Sequence, residues 1–388
     1  MYPALELDLL EALDLSIRQP VLYFQLQIRP QISIDKLSKA VAQCIQFMPE
    51  WACHYDEATH CFMSLSSYNI IFEVEDFDFS TWDITKHPQL QIQIKHHSTF
   101  DELRIGCSHI LSDGNGAMQF LYLICTCYNQ IPITIHNERN LASLSFIKTK
   151  KPQRKKPKSE IIKPNINHDD HFHTSILTEQ IPIHCIQNIA NTNQVTINDV
   201  CMCAYLLALY DVYHQSSITI PCPVNLRAFL SNCPDTSITN FTGDYAVTIH
   251  DIPHKHWQEI LQDIHIQMKE ERLRNDSLKE IKWYHTLYSL LPISWIQFLA
   301  KKVFHNPMIS YTNVGRIHDT QLQLDDCEIV NAYVITALRR YPSFQISVST
   351  YKNTCTISAN VQADDHELLE AEQLLSNTIH KIYSFEKA

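Results

Sequence analysis

The sequence predicts an α/β or α+β protein, because strand-like and helix-like segments follow one another through both halves of the chain. Short apolar runs indicate strands, and longer runs with apolar residues every three or four positions indicate helices. The chain has 388 residues, of which 45% are hydrophobic and 19% are charged. This length and composition predict a globular protein with two domains or two similar halves.

The first half of the chain alternates between the two kinds of segment. An apolar run that begins at Val21 predicts the first strand, and Ser33 is placed to cap the helix that follows and ends before Pro49. The predicted elements are strands at 21–29, 69–75, 90–95 and 102–110, and helices at 34–48 and 116–128.

A basic segment separates the two halves. Eight of the 31 lysines and arginines lie between 148 and 164, and no apolar periodicity appears there before Ile161. We therefore predict a linker at 148–167 between an N-terminal half, 1–147, and a C-terminal half, 168–388.

The second half repeats the mixture of strands and helices. Thr196 and Asn198 are the candidate caps of a long apolar helix that ends near His214. The predicted strands are 174–182, 218–227, 244–250, 308–312, 328–336, 343–350 and 354–361, and the predicted helices are 184–191, 196–214, 255–275, 278–304 and 364–384.

Charge and cysteine content exclude several classes of protein. The net charge of −11 argues against nucleic acid as a partner, since binding to phosphates requires a basic surface. The thirteen cysteines are odd in number, and several lie inside apolar runs, which predicts reduced core thiols. We find no signal-peptide pattern and no apolar run of about 18 residues, so we expect a cytoplasmic protein without a membrane span.

Glycine is scarce, and its distribution is informative. The chain has only five glycines, and Gly106, Gly114 and Gly116 lie within eleven residues of one another. Glycine is required where the backbone adopts positive φ or where another group approaches closely. The cluster therefore marks a special backbone, although each glycine alone is compatible with an ordinary turn.

This cluster adjoins the segment Cys-Ser-His-Ile-Leu-Ser-Asp-Gly, which contains His109 and Asp113. The segment follows a predicted strand and precedes a predicted helix. An imidazole with a pKa near 6.5 can accept a proton from an alcohol, amine or thiol at neutral pH. His109 is therefore a candidate general base, and Asp113 is a candidate for bracing the turn.

The segment Ser108 to Gly114 resembles the His-His-x-x-x-Asp-Gly motif of the chloramphenicol acetyltransferase-like superfamily, which includes condensation domains and alcohol acetyltransferases. Further similar segments follow in the family's order, and the alcohol acetyltransferase-like branch is the most similar. These segments are Tyr2–Asp8, Asp35–Pro49, Thr196–Asp199, Pro223–Arg227, Thr242–Tyr245, Thr312–Arg316 and Ser347–Tyr351.

The resemblance implies two similar subdomains, with mixed sheets flanked by helices and a channel between them. It implies that His109 is the general base and that Asp113, next to Gly114, forms a structural salt bridge with Arg227. The first histidine of the family motif is replaced by Ser108. Many family members lack that histidine, so the substitution leaves the interpretation intact.

Other residues are candidates for lining the channel. Asn313 could donate an amide N–H to a tetrahedral oxyanion, although a turn-forming role before Gly315 is equally compatible with the sequence. The candidates for an oxyanion or channel position are Ser108, Tyr245, Asn313, Gly315 and Ser347.

The resemblance implies an acyltransferase that moves an acyl group from a thioester to a small alcohol or amine acceptor. Acyl-coenzyme A is the expected co-substrate, with no permanently bound cofactor. A condensation-type enzyme that uses a carrier-protein thioester of phosphopantetheine is one alternative. A catalytically silent binding protein of the same fold is another.

Three further segments allow two interpretations each. The cluster at 168–173 contains three histidines and two aspartates, but it lies at the end of the linker, and we expect no metal there. The basic linker either steers coenzyme A or an acidic carrier protein, or is a solvated connection. The apolar segment 278–304 either touches a membrane or lipid-like substrate, or forms a buried helix pair broken at Pro292.

Overall fold

The computed structural model describes residues 1–13, 15, 20–133, 137, 139, 172–229, 237–274, 276–303 and 307–387. The predicted linker at 148–167 lies outside these residues, as does most of the histidine-rich segment 168–173. The proposed division into 1–147 and 168–388 therefore stays a prediction.

The N-terminal part of the described chain alternates strands and helices, as predicted. Ser33 caps the second helix, since its side chain accepts a hydrogen bond from the backbone N–H of Lys36. In chain order the elements are β1 (Tyr2–Pro3), α1 (Glu6–Ala12), β2 (Val21–Arg29), α2 (Ile34–Phe47), β3 (Cys53–Asp56), β4 (Cys61–Ser64), β5 (Ile71–Val74), β6 (Leu90–His96), β7 (Asp101–Ser108) and α3 (Gly114–Tyr128).

The remaining elements complete an α+β architecture. Thr196 caps a helix through a capping box with Asp199, in which each side chain accepts from the other residue's backbone N–H. The elements are β8 (His173–Pro182), α4 (Ile183–Asn193), α5 (Ile197–Tyr213), β9 (Ile218–Asn225), β10 (Thr242–Ile249), α6 (Trp257–Arg274), α7 (Asp276–Leu290), α8 (Ile293–Val303), β11 (Ile309–Ile317), β12 (Glu328–Ile335), β13 (Arg339–Arg340), β14 (Phe344–Tyr351), β15 (Thr354–Ala363) and α9 (Asp365–Lys387).

Two mixed sheets organise the described residues. The first has the order β12-β2-β7-β6-β5, in which only β5 and β6 run parallel. The second joins β11, β14 and β15, and both β8 and β13 also pair with β15. Strands β9 and β10 form an antiparallel pair, and β1, β4 and β3 form a small sheet. Mixed sheets flanked by helices confirm the predicted fold class.

Strand β12 lies in the first sheet although it comes from the C-terminal part of the chain. It pairs antiparallel with β2, so that Ala332 faces Leu26 and Val334 faces Phe24. Ala332 and Val334 also belong to the hydrophobic core that packs around the first sheet. The two halves are therefore joined by a shared sheet.

The described cysteines are free thiols, and most of them are buried. Cys44 and Cys127 lie on neighbouring helices with their sulfur atoms 3.3 Å apart, and their hydrogen bond raises the pKa of the Cys44 thiol. The predicted core position is confirmed for the buried cysteines, and their reduced state stays a prediction.

The segment 278–304 forms two helices that break at Pro292, as predicted. The expectation that this pair is buried holds only in part: Tyr284 and Ile296 are buried, whereas several other large apolar side chains face solvent. The exposed fractions are 56% for Trp283, 74% for Leu290, 61% for Trp295 and 54% for Phe298.

No single described helix is long and apolar enough to cross a membrane, although α4 and α5 jointly pass that test across a bend of 99°.

Candidate functional site

The predicted motif lies where β7 ends and α3 begins. Strand β7 pairs with β2 and β6, and its last residue, Ser108, is fully buried. A tight turn follows, in which the backbone N–H of His109 donates to the carbonyl of Pro20 at 2.7 Å. The turn ends at Asp113, the N-cap of α3. The strand and the helix therefore hold the motif from both sides.

Asp113 is committed to hydrogen bonds within the protein. One of its oxygens accepts from the N–H of Gly116 at 2.7 Å, as expected of a helix N-cap. The other oxygen accepts from Arg227 Nη1 at 2.8 Å, from the N–H of Phe241 and from the hydroxyl of Thr242. With both oxygens occupied and the side chain buried, this carboxylate is a structural brace.

The electrostatics of Asp113 follow from these contacts. Burial alone raises the pKa of a carboxyl group, because it disfavours the charged form. The positive charge of Arg227, together with the hydrogen bonds to Asp113, outweighs that effect, so the pKa of Asp113 is lowered from its usual value. Asp113 is therefore ionised at neutral pH and does not exchange protons there.

Arg227 connects the motif to the segment before β10. Its guanidinium donates to the carbonyls of Ser237 and Thr239, and Nη1 also reaches the side-chain oxygen of Asn225 at 3.2 Å. These partners satisfy the buried guanidinium, which explains how the ion pair offsets its loss of hydration. The structure therefore contains the salt bridge between Asp113 and Arg227 that the resemblance implies.

His109 has a different environment from Asp113. Its side chain is 20% exposed, and its Nδ1 atom is buried with no hydrogen-bond partner among the described residues. The exposed part of the ring therefore belongs to atoms other than Nδ1. Glu11 Oε2, from α1, lies 3.7 Å from Nδ1. Of the two ring nitrogens, Nδ1 is therefore the one that faces Glu11.

Asn240 holds the turn that carries His109. Its side-chain nitrogen lies 3.1 Å from the carbonyl oxygen of His109, 2.7 Å from that of Ile110 and 3.0 Å from Asp8 Oδ1. The sequence analysis assigned no role to Asp8, Glu11 or Asn240. Asp8 ends the segment Tyr2–Asp8, and Glu11 and Asn240 lie next to the segments Tyr2–Asp8 and Thr242–Tyr245, which were the available signals.

Glycine is required at the start of α3 for close packing. A Cβ atom at Gly116 would lie 2.7 Å from the carbonyl oxygen of Thr239 and 2.8 Å from its nitrogen. A Cβ atom at Gly114 would meet only side-chain atoms, the nearest being 3.1 Å away in Val314. The α3 terminus is therefore clamped between the segment before β10 and strand β11.

The structure places Asn313 and Gly315 at a bulge in β11, beside Val314. Asn313 Nδ2 donates to Asn198 Oδ1 at 3.0 Å and to the hydroxyl of Tyr311, and its side-chain oxygen accepts from the N–H of Gly315. Gly315 has a φ of +78°. These contacts favour the turn-forming role of Asn313, since both of its amide hydrogens already have acceptors.

Tyr245 lies in β10 and Ser347 in β14, and both residues are buried. Tyr245 is buried, and this burial raises the pKa of its hydroxyl. The hydroxyl of Ser347 donates to the carbonyl of Val334 at 2.8 Å and lies 2.7 Å from the hydroxyl of Ser358. The hydroxyl of Ser108, by contrast, has no hydrogen-bond partner among the described residues.

Two other features lie outside this constellation. A cavity of about 340 Å³ beside β5 and β6 is lined by Tyr68, Trp82 and Gln91 among others, and the predicted site residues are not part of its lining. Within the described ranges, no group of three or more His, Cys, Asp and Glu side chains is placed to hold a metal ion.

Comparisons with known proteins identify the fold. No family model matches the sequence, and no curated protein matches it. Among solved structures, the TRI3 trichothecene 15-O-acetyltransferase from Fusarium sporotrichioides is similar with a TM-score of 0.68 and 11% identity. That match covers 97% of this chain and 93% of the other.

Two more solved structures show the same arrangement. The condensation domain of the monacolin K polyketide synthase MokA matches with a TM-score of 0.64 and 11% identity, over 100% of this chain and 97% of the other. TRI101 of F. sporotrichioides, in complex with coenzyme A and T-2, matches with a TM-score of 0.63 and 10% identity. This match covers 95% of this chain and 96% of the other. The chain therefore has the fold that these acetyltransferases and this condensation domain share.

Proposed function

We propose that the protein is an acyltransferase that moves an acyl group from a thioester to an alcohol or amine, with His109 as general base. The observation that supports the proposal is the difference between the environments of Asp113 and His109 in the motif. Asp113 is buried and fully engaged in hydrogen bonds, whereas the imidazole four residues before it is partly exposed. The acetyltransferases of the same fold support this chemistry.

The proposed reaction proceeds by a single displacement. His109 Nε2 accepts the proton of the acceptor hydroxyl or amine as its oxygen or nitrogen attacks the thioester carbonyl carbon. The tetrahedral intermediate then collapses, the C–S bond breaks, and the imidazolium returns the proton to the departing thiolate. Asp113 and Arg227 take no part in proton transfer and keep the turn in place.

Acyl-coenzyme A is the donor that we propose, because a protein of this fold has been solved with coenzyme A bound. A carrier-protein thioester is the second candidate, and the similarity to a condensation domain favours it. The two donors share the phosphopantetheine thioester and differ in what is attached to its phosphate end. Comparing acyl-coenzyme A with the same acyl group on a carrier protein separates them.

The proposal is tested by the variant His109→Ala, assayed by mass spectrometry for acyl transfer to a mixed panel of alcohols and amines. We expect the rate to fall by about 10²–10⁴-fold, the contribution typical of a general base. Circular dichroism checks that the variant is folded. The matched control is His265→Ala, which removes another partly exposed histidine, hydrogen-bonded to Asp199. Unchanged turnover in His109→Ala would overturn the role of His109.

A silent binding protein gives a different set of results. It would bind coenzyme A thioesters or acceptors in thermal-shift measurements without any turnover of thioester by the wild-type chain. Thioester consumption that depends on His109 would exclude it.

A further inference from the structure

We propose that Glu11 is the positioning residue for His109: its carboxylate accepts the Nδ1–H of the imidazole and thereby keeps Nε2 unprotonated and ready to act as the base. This inference rests on the proposed function of His109. It adds a residue from α1, outside the motif, to the machinery of the site.

The first observation is the geometry of the pair. Glu11 Oε2 lies 3.7 Å from His109 Nδ1, and the two side chains are 28% and 20% exposed. The distance exceeds that of a hydrogen bond by a few tenths of an ångström, so the two groups form an electrostatic contact in this structure. Such contacts in unliganded enzymes often tighten when substrate is bound.

The second observation is the need of the Nδ1 atom for a partner. Nδ1 is buried without a hydrogen bond within the part of the chain that the structure describes. A buried polar atom without a partner is costly, and the tautomer of a histidine is set by the bond that its other nitrogen makes. The carbonyl oxygen of His109 accepts from Asn240 at 3.1 Å. Glu11 is the acceptor that the geometry supplies.

The third observation is that α1 is tied to the turn of His109. Asp8, one turn before Glu11, accepts from Asn240, whose amide also reaches the carbonyls of His109 and Ile110. Arg139 adds a further ion pair to Asp8. Because α1 and the turn share these buried bonds, Glu11 is held at a defined place relative to the imidazole.

The charge of Glu11 also suits the proposed reaction. When His109 accepts a proton, an imidazolium forms, and a carboxylate at this distance stabilises it electrostatically. The same carboxylate fixes the ring orientation, because it bonds to one nitrogen only. Glu11 would therefore act on the chemical step more than on the binding of substrate.

The chain offers a matched control on the same helix. Glu6 of α1 also faces an imidazole, that of His285 in α7, and the two side chains are hydrogen-bonded. Substitution Glu6→Gln changes the same residue type in the same helix, but beside a histidine outside the proposed site. An effect that arises only from perturbing α1 would appear in both variants.

The test compares Glu11→Gln and Glu11→Ala with Glu6→Gln and the wild-type chain. We expect kcat to fall by about tenfold in Glu11→Gln, and further in Glu11→Ala, with KM for the thioester changed less than about twofold. Glu6→Gln should retain the wild-type kcat. A change in KM alone, or equal losses in Glu6→Gln and Glu11→Gln, would overturn the positioning role.

A second measurement does not depend on acyl transfer. Long-range ¹⁵N–¹H spectra of histidine-labelled protein near pH 8, assigned with His109→Asn, report which ring nitrogen of His109 carries the proton. We expect the Nδ1–H form in the wild type and its loss in Glu11→Ala. An unchanged tautomer would overturn the inference. An altered tautomer in a protein without transferase activity would overturn the proposed function alone.

Discussion

At the residue scale, Asp113 and His109 show how two polar side chains four positions apart acquire different tasks. Asp113 is surrounded by donors from Arg227, Gly116, Phe241 and Thr242. The side chain of His109, in the same turn, is 20% exposed, and its Nδ1 atom is buried. The surrounding donors, rather than the residue types alone, make one side chain structural and leave the other available.

Removal of the charge of Asp113 should destabilise the whole protein. We expect Asp113→Asn to lower the free energy of unfolding by about 3–5 kcal/mol, since it leaves the buried guanidinium of Arg227 without its counter-charge. Urea denaturation followed by circular dichroism measures this. The exposed ion pair of Asp76 with Lys95 provides the control, and Asp76→Asn should have little effect. A stability equal to that of the wild type would show that the ion pair contributes nothing net.

The same carboxylate predicts a dependence of stability on pH. The pKa of Asp113 is lower in the folded state than its ordinary value of 3.8. The contribution of Asp113 to the free energy of unfolding is therefore fully present at pH values above the pKa of the unfolded state. It is lost as the pH falls through the pKa of the folded state. We expect Asp113→Asn to lose less stability than the wild type between about pH 5 and pH 2. Urea midpoints across this range measure the difference, and parallel curves would contradict the assignment.

At the element scale, the packing around α3 explains why Gly114 and Gly116 are present in a chain with only five glycines. The helix begins where the segment before β10 crosses its first turn, and no side chain fits between Gly116 and the backbone of Thr239. Gly114, two positions earlier, meets a side chain of β11 instead. Both contacts bring C-terminal segments onto the N-terminal motif, so the motif is completed by the other half of the chain.

These two glycines make a paired prediction. Gly116→Ala should destabilise the protein by about 1–3 kcal/mol, because a Cβ atom would push against backbone atoms that cannot move aside. Gly114→Ala should cost much less, since the side chain of Val314 can shift and alanine favours the helix. Thermal unfolding of both variants measures the contrast. Equal effects would show that the packing around Gly116 is looser than the distances indicate.

At the scale of the whole molecule, strand β12 makes the two halves interdependent. Residues of β11 and β12, among them Val314 and Ala332, belong to the same core as α2 and α3. An N-terminal fragment that ended before β12 would leave the edge of β2 unpaired and this core incomplete. The first sheet and its core are therefore built from residues of both predicted halves.

This interdependence predicts the behaviour of fragments. A fragment of residues 1–133 expressed alone should expose apolar surface and bind a hydrophobic dye such as ANS, whereas co-expression with 172–388 should restore a stable complex. Dye binding and size-exclusion chromatography measure the two cases. A fragment 1–133 that unfolds cooperatively by itself would contradict the shared core.

The sequence by itself determined the local structure and the location of the motif. Periodicity and caps such as Ser33 and Thr196 are local properties, so most strands and helices were predicted with ends close to those observed. Short elements were missed, among them α1 and β3, because a few residues carry too little periodicity. The α/β or α+β class followed from the order of the elements, whereas the mixed sheets were implied by the family resemblance.

Tertiary structure alone decided which distant residues meet at the motif. Asn240 approaches His109, and β12 inserts beside β2, across more than a hundred residues of sequence. Glu11 also approaches His109, and no periodic pattern in the sequence indicates this contact. The exposure of Trp283 and Trp295 was likewise invisible, because an apolar stripe looks the same whether or not another element covers it. Sequence periodicity reports what a segment can bury, and only the packed chain decides what lies against it.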